Sequence, residues 1–432
     1  MRRAAAFSAA LLWAGPAAAS VWDTYGFGAR ATGMGNAHAA AGQDFSAVYY
    51  NPAALAGAPD PEVATGLDVV LPELWFERAR PDDPDAPSDE LPGPNVGAHL
   101  GLVVPLGGLI DDRVALGAGI YVPTLEVTRV DGVDPVRPHF YRYEALTSKL
   151  VLALGIAVEL HETVSVGLGA QFLGALDGHA TVELDLLTRR FVRKSLQVAV
   201  RPTGALTAGL HWKPTEALRF GFSFRDALAL DYTLRIEAII SGAGALAVDI
   251  AGTSLYTPRQ FTWGAAWDPS DDWTLTADLV WAQWGAAPDP ASSLGLTLDG
   301  EPLGFGALTV DSDPVRLGAV DTLSPRVGAE WRLDEAWSLR GGYGYRPTPL
   351  PAQTGPYNHV DAAAHQLSLG FGWSVQNPLA TEQAPLSIEA SGQVLLLAER
   401  AMVKADPSDA VGDYTAGGHI WHTALTLRHV FY

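Results

Sequence analysis

A run of basic residues is conspicuous in an otherwise acidic chain. Arg189, Arg190, Arg193 and Lys194 fall within six positions of a protein whose formal net charge is −20. Clustered guanidinium and ammonium groups bind carboxylates and phosphates through charge-assisted hydrogen bonds. Two interpretations of the run are open: it contacts acidic headgroups, or it is a solvated charge run in a loop. The overall acidity argues against nucleic acid as a partner.

Residues that could support catalysis or metal binding are few and poorly placed. Residues 26–31 match a loose dinucleotide fingerprint, but the preceding strand that this motif requires is missing. His419 and His422 are three residues apart, so on a strand they point to opposite faces and cannot share a metal. The chain contains no cysteine, which excludes thiolate ligands and disulfides. We therefore predict no enzyme, no cofactor and no metal site.

The first nineteen residues have the composition of a secretory signal peptide. Arg2 and Arg3 form a basic end, residues 4–13 are apolar, and residues 17–19 are three alanines typical of a cleavage site. We predict cleavage before Ser20 and export of the mature chain.

Alternation of apolar residues with small or polar ones is the strongest structural signal. Between residues 273 and 281 one parity carries Trp273, Leu275, Ala277, Leu279 and Trp281, and the other carries Thr274, Thr276, Asp278 and Val280. Successive side chains of a strand point to opposite faces, so one face here is apolar. The same pattern recurs at residues 164–172, 218–225, 261–267 and 326–333.

Both a soluble sandwich and a membrane barrel alternate in this way. Solvent-facing strand positions usually carry Lys, Glu and Thr, whereas here they carry many Gly, Ser and Ala with isolated charges. Trp273 and Trp281 are about 26 Å apart along a strand, or roughly 20 Å along the membrane normal at the usual tilt. This separation suits two aromatic girdles. The chain is 48% hydrophobic, and a closed barrel satisfies its backbone without water.

Fourteen candidate strands and their connections predict the architecture. Tight turns at residues 161–162, 214–215, 268–271 and 334–335 alternate with long loops, among them 177–201, 237–256 and 286–322. Short turns on one side and long loops on the other are typical of outer-membrane barrels. We predict an all-β fold, a 14-stranded antiparallel transmembrane β-barrel. Its domains are a signal peptide (1–19), a small N-terminal helical plug, or hatch, in the lumen (20–60) and the barrel (61–432).

The plug segment is rich in Gly and Ala and does not alternate. Asp44 is predicted to cap a turn that starts at Phe45. Asn51 is predicted to cap a second short helix, which has Pro52 at its first position.

With these features the chain resembles the FadL/TodX family of outer-membrane transporters of long-chain fatty acids and other hydrophobic compounds. The resemblance covers nearly the whole mature chain. It rests on Asn51-Pro52-Ala53 at the end of the plug, on residues 257–284 and 339–373, and on the terminal Phe431-Tyr432.

The resemblance implies passive uptake by a monomeric barrel in the bacterial outer membrane. Its ligands would be fatty acids or other hydrophobic small molecules, and its surroundings outer-membrane lipid and lipopolysaccharide. Asn51, Pro52 and Ala53 would belong to the plug and its gate. A pocket above the plug would be lined by Trp22, Tyr25 and Phe27.

The family also implies a kink in the third strand that opens a lateral exit through the barrel wall. The matching residues are Tyr121, Val122 and Pro123. Proline lacks a backbone donor, so it suits a gap in a ladder. A position at the loop edge, where proline is harmless, is the other interpretation of Pro123.

Charged residues also fall on the predicted lumen face. Arg219, Arg225, Arg326, Arg332 and Arg340 share this face with Asp278 and Glu330. Buried charges need partners, so most are predicted to form ion pairs. Arg340 and the run from Arg189 to Lys194 are candidates for headgroup contacts.

Two other functions stay open at this stage. A similar plug occurs in barrels that resemble PorV and shuttle secreted proteins, so this chain would bind a protein partner. A general porin is the third possibility, although a plug argues against it.

Overall fold

A computed structural model describes residues 21–79, 87–106, 113–124, 136–143, 150–185, 190–240, 244–288, 293–299, 304, 306–312, 317–376 and 385–431. The predicted signal peptide and Arg189 lie outside these ranges. No helix within them has the length and apolar character needed to cross a membrane.

The N-terminal segment folds into a compact hatch inside the barrel. It comprises α1 (Val21–Tyr25), α2 (Ala29–Gly33), α3 (Ala47–Tyr50) and a 3-10 helix (Pro52–Gly57). The Asn51 side chain accepts a hydrogen bond from the Ala53 amide at 3.2 Å, so the predicted cap is confirmed. Asp44 likewise accepts from the Ser46 amide at 2.9 Å.

The described residues after the hatch form twenty strands, numbered here in chain order, and fourteen of them form the barrel. These are β1 (Glu62–Arg78), β2 (Asn95–Pro105), β3 (Val114–Pro123), β5 (Val151–His161), β6 (Val164–Asp185), β7 (Arg190–Thr215), β8 (Leu218–Arg225), β11 (Gln260–Ser270), β12 (Trp273–Ala282), β15 (Thr322–Arg332), β16 (Trp337–Arg346), β18 (Ala364–Gln376), β19 (Pro385–Met402) and β20 (Tyr414–Val430). The other six lie on the loop side: β4 (His139–Phe140), β9 (Leu228–Ile240), β10 (Gly244–Thr257), β13 (Ser293–Asp299), β14 (Leu308–Asp311) and β17 (His359–Val360).

Antiparallel pairing closes the barrel. Each barrel strand pairs with the next, and β20 pairs with β1 from Glu62–Val430 to Arg78–Tyr414. The predicted count of fourteen strands and the antiparallel closure are confirmed.

The segments 177–201, 237–256 and 286–322, which were predicted to be long loops, contain strands. β6 and β7 continue well beyond the barrel rim, and the hairpin β9–β10 joins them through parallel pairing of β9 with β6. β13 and β14 extend this sheet from the other side of β10. Residues 226–227 separate β8 from β9. Residues 246–250 and 294–298 alternate like the barrel strands, and pairing above the rim satisfies their backbone groups.

The side chains point as the alternation predicted. Leu369, Leu206 and Leu168 are 74%, 68% and 65% exposed on the outer wall. Trp273 stacks on Trp331 of the neighbouring strand, with ring centroids 5.5 Å apart, where the strands meet the tight turns. These rings form a girdle at the turn end of the barrel.

Arginine on the outer wall should destabilise the barrel according to depth. Leu206 faces Ala170, six residues above the first residue of β6, so it lies near the middle of the apolar band. Leu160 lies beside the turn that joins β5 and β6. We expect L206R to reduce the free energy of unfolding by about 2–4 kcal/mol and L160R by about 0–1 kcal/mol. Urea unfolding in lipid vesicles measures both, and equal losses would contradict the assigned depth.

Candidate functional site

The hatch docks against a wall of glycines. Ten barrel strands place a glycine where a β-carbon would overlap or crowd a hatch atom: Gly101, Gly117, Gly119, Gly155, Gly167, Gly209, Gly221, Gly264, Gly328, Gly342 and Gly370. Several are paired across neighbouring strands, such as Gly117 with Gly155 and Gly167 with Gly209. The paired glycines remove side chains from patches of the wall, so the hatch backbone lies directly on the strands.

The predicted gate residues lie at this contact. Asn51 and Ala53 are fully buried, and the Asn51 side chain donates to the carbonyls of Ala39 and Leu210 at 2.8 and 3.1 Å. A β-carbon at Gly209 would overlap Asn51 Oδ1 and lie 2.9 Å from the Ala53 nitrogen. The segment from Asn51 to Ala53 therefore joins the two halves of the hatch to β7.

Buried ion pairs tie the turn-end side of the hatch to the wall. Arg30 of α2 binds both oxygens of Glu330 at 2.9 and 3.0 Å, and Arg340 binds the same carboxylate at 2.6 Å. Arg340 also lies 3.3 Å from Glu389. These groups line a cavity of about 320 Å³ next to the turn that joins β15 and β16. Arg340, a predicted headgroup contact, thus belongs to a network on the turn-end side.

The charge state of the hatch carboxylate Asp44 follows from its neighbours. Burial alone would raise the pKa of Asp44, but His38 and Arg30, 3.7 and 3.4 Å away, hold that pKa well below its usual range. The pKa of Arg30 is raised, chiefly by Glu330. Both groups stay ionised, so the hatch keeps its network across the physiological range.

Other predicted lumen charges also have partners. Arg225 forms an ion pair with Asp23 of the hatch and donates to the Tyr49 carbonyl at 2.7 Å. Asp278 accepts from the amides of His38 and Ala39 at 2.9 and 3.0 Å. Arg225 thus has the ion pair expected of a lumen charge, whereas the partners of Asp278 are backbone amides of the hatch.

The sequence analysis missed a polar cluster on the wall beside the hatch. Asp68 of β1 contacts His99 Nδ1 at 2.6 Å and His422 Nε2 at 3.1 Å. His99 contacts the Thr426 hydroxyl, which accepts from the Ala29 amide at 3.1 Å. The cluster joins the consecutive strands β1 and β2 to β20 at the other end of the chain, so barrel closure brings it together. His419 lies on the other face of β20, as the alternation predicted.

An apolar core occupies the loop side of the hatch. We name it the mouth core, which consists of Trp22, Tyr25 and Phe27 from the hatch, Tyr121 and Val151 from the wall, and Phe140, Tyr143 and Val360 from the loops. Trp22 stacks on Phe27 with ring centroids 4.0 Å apart. The three predicted pocket residues therefore cluster, and loop side chains cover them.

The described pairing of β3 with β5 ends beside the mouth core. Among the described residues, β3 pairs with β5 only as far as Tyr121–Val151, while its pairing with β2 continues to Pro123–Gly97. The Thr124 amide donates to Val96 of β2. Donors alternate between neighbours along an antiparallel strand, so the donor that Pro123 lacks would face β5.

A basic cluster lies above the mouth core. Arg142 pairs with the fully buried Asp361 at 2.7 Å. Arg346 donates to the Thr24 carbonyl at 2.9 Å and lies in electrostatic range of Tyr143, Arg142, Arg326 and Asp361. No ion pair of Arg346 occurs among the described residues. Arg190, Arg193 and Lys194 lie in β7, but their side chains, like the whole of Arg189, lie outside the described residues.

The comparisons with known proteins agree with this geometry. The family described as "Outer membrane protein transport protein (OMPP1/FadL/TodX)" matches residues 8–385. Alkane uptake protein A of Marinobacter nauticus is 23% identical over 420 residues, covering 89% of this chain and 86% of that protein.

Solved structures of similar fold agree with the barrel architecture. A Pseudomonas aeruginosa FadL homologue has a TM-score of 0.57 at 16% identity and covers 97% of this chain and 99% of its own. The P. putida toluene transporter TodX has a TM-score of 0.57 at 16% identity, with coverage of 94% and 99%. At this identity the likeness establishes the fold.

Filling the glycine wall should displace the hatch. Valine at Gly209 would collide with Asn51 and Ala53, whereas Gly392 on the outer face of β19 has open space around its β-carbon position. We expect G209V to give several-fold higher ion conductance in planar bilayers than the unchanged protein, and G392V to match the unchanged protein. Equal conductance of all three proteins would show that the wall does not hold the hatch.

Proposed function

Because the chain belongs to the OMPP1/FadL/TodX family of outer-membrane transport proteins, which take up hydrophobic compounds, we propose a specific route for such compounds through this barrel. A long hydrophobic molecule enters from the loop side, displaces side chains of the mouth core, and leaves sideways between β3 and β5. The main support for this proposal is the mouth core, which contacts the barrel wall where the described pairing of β3 with β5 ends.

The distribution of charge around the hatch supports a lateral exit. The loop side of the hatch is aromatic, whereas its turn-end side carries Arg30, Glu330 and Arg340 in a polar cavity. An apolar molecule gains nothing from entering a charged cavity, and breaking buried ion pairs costs several kcal/mol. A sideways step beyond Tyr121 keeps the molecule in apolar surroundings throughout, since the membrane interior begins at the outer wall.

The substrate class follows from the lining of the mouth. An aromatic and aliphatic core accepts neutral hydrocarbons, and Marinobacter alkane uptake protein A is named for such a substrate. Arg346 adds a guanidinium without a carboxylate partner among the described residues. Guanidinium groups bind carboxylates strongly, so we propose that Arg346 receives the carboxylate of a fatty acid.

Uptake by a deletion strain tests the function and the role of Arg346 together. We expect the unchanged gene to restore uptake of labelled oleate and of labelled n-hexadecane. R346L should lose most oleate uptake and keep hexadecane uptake, and R346K should keep both because it retains the charge. Unchanged uptake of every hydrophobe in the deletion strain would reject the function, and equal losses with both substrates in R346L would reject the carboxylate contact.

A disulfide just beyond the last described β3–β5 pair tests the lateral exit. If the β3–β5 register continued, Val122 would face Leu150, one residue beyond the Tyr121–Val151 pair. The chain has no cysteine of its own. We expect oxidised V122C/L150C to lose most uptake and reduction to restore it, with V122C alone as the control. Full uptake by the oxidised protein would exclude this exit.

The two other functions predict different observations. A PorV-like role requires a protein partner that co-purifies in stable amounts. A general porin requires high ion conductance with the hatch in place, which the dense contacts between hatch and wall disfavour.

A further inference from the structure

Two buried histidines join loops that cover the mouth core. His139 lies in β4, in the connection between β3 and β5, and His359 lies in β17, in the connection between β16 and β18. His139 Nε2 and His359 Nδ1 are 2.8 Å apart, and the residues are 1% and 0% exposed. β4 and β17 pair in parallel over two residues. We name this pair of segments the cap.

The hydrogen-bond partners fix the protonation of both rings. His139 Nδ1 lies 2.8 Å from the Arg137 carbonyl, which only accepts, so Nδ1 carries the proton. Nε2 of a neutral His139 is therefore an acceptor, and His359 Nδ1 donates to it. His359 Nε2 is then unprotonated and has no partner among the described residues.

Adding a proton to the pair is costly although the hydrogen bond between the rings can survive. With one added proton, either ring can donate across the 2.8 Å contact, because a neutral His359 can carry its hydrogen on Nε2. In both cases His359 Nε2 becomes a buried donor in a charged pair and has no acceptor among the described residues. Burial therefore favours two neutral histidines.

The charged groups around the cap are mostly cationic. Asp361 binds the Arg142 guanidinium through Oδ1 at 2.7 Å, its Oδ2 has no hydrogen-bond partner among the described residues, and its carbonyl accepts from Arg400 at 2.7 Å. Lys404 donates to the carbonyls of Gly355 and Tyr357. Other described groups near the cap are the Tyr141 ring, which packs on His359 and on Trp284, the Arg137–Glu90 ion pair, and Arg346, which lies in electrostatic range of Arg142 and Asp361.

We propose that the His139–His359 pair is a proton-released latch that holds the cap closed over the mouth core at neutral pH and frees it in acid. The latch concerns access to the mouth core, and only its consequence for uptake rests on the proposed function.

The direction of the effect follows from the burial of the rings. Burial, and then His139, lower the pKa of His359 well below its ordinary value of about 6.5. A group whose pKa is lowered by folding stabilises the folded arrangement above its ordinary pKa and loses that contribution as the pH falls through the lowered value. The cap therefore stays closed near pH 7 and is released only in acid, at a pH well below the ordinary pKa of histidine.

Spin labels on the two loops test the latch in the full-length protein in proteoliposomes without substrate. Val136 is exposed, and a β-carbon at Gly355 would meet open space, so cysteines at these positions accept labels. We expect strong dipolar broadening between the V136C and G355C labels at pH 7.5. The broadening should fall by at least half at pH 5.0 and return on neutralisation.

The double variant H139Q/H359N identifies the responsible pair, because the Asn amide can donate to the Gln carbonyl and neither side chain titrates. We expect the H139Q/H359N spectrum to be independent of pH. An unchanged wild-type spectrum down to pH 4.5, or an H139Q/H359N spectrum that changes with pH as the wild type does, would overturn the latch. Because the labels report the cap without substrate, failure of the uptake assays would not affect this result.

Discussion

Close contact between the hatch backbone and the barrel wall is the constraint on which the rest of the structure depends. Fourteen strands enclose a lumen wide enough for water, and this chain fills it with a segment of about forty residues. Such a segment blocks the lumen only if it lies directly on the strands. Glycines on ten strands allow this, because any larger side chain would hold the hatch away from the wall. The ion pairs of Arg30 and the capping of the 3-10 helix by Asn51 then fix its orientation.

The same docking gives the lumen two chemically different halves. On the turn-end side, Arg30, Glu330 and Arg340 satisfy one another in a network that excludes apolar solutes. On the loop side, Trp22, Tyr25 and Phe27 meet loop and wall residues in an apolar core. A barrel that transports hydrophobic molecules needs this separation, because an apolar path that ended in water would retain the transported molecule. The end of the described β3–β5 pairing, at Tyr121 and before Pro123, adjoins the apolar half.

Local sequence patterns predicted the strands of the barrel but not the strands above its rim. Strand alternation depends on neighbours in sequence, and a barrel must pair every strand, so the fourteen strands and their direction were predictable. Residues 177–201 and 237–256 alternate too, yet loop length suggested irregular structure. Pairing of β9 with β6 is a long-range contact that no local pattern reveals. The cap and the contact of Asp68 with His422 were missed for the same reason, since the residues in each contact are more than two hundred positions apart.

The sequence by itself determined which face of each strand is apolar, that Asn51 and Pro52 begin a short helix, and that the lumen charges need partners. These properties follow from side-chain period and from the chemistry of single residues. Only the tertiary structure decided which charge meets which, that Arg340 joins the network beneath the hatch, and that His139 lies against His359. Each of these depends on barrel register and on the path of loops across the mouth, where residues distant along the chain come within hydrogen-bond distance.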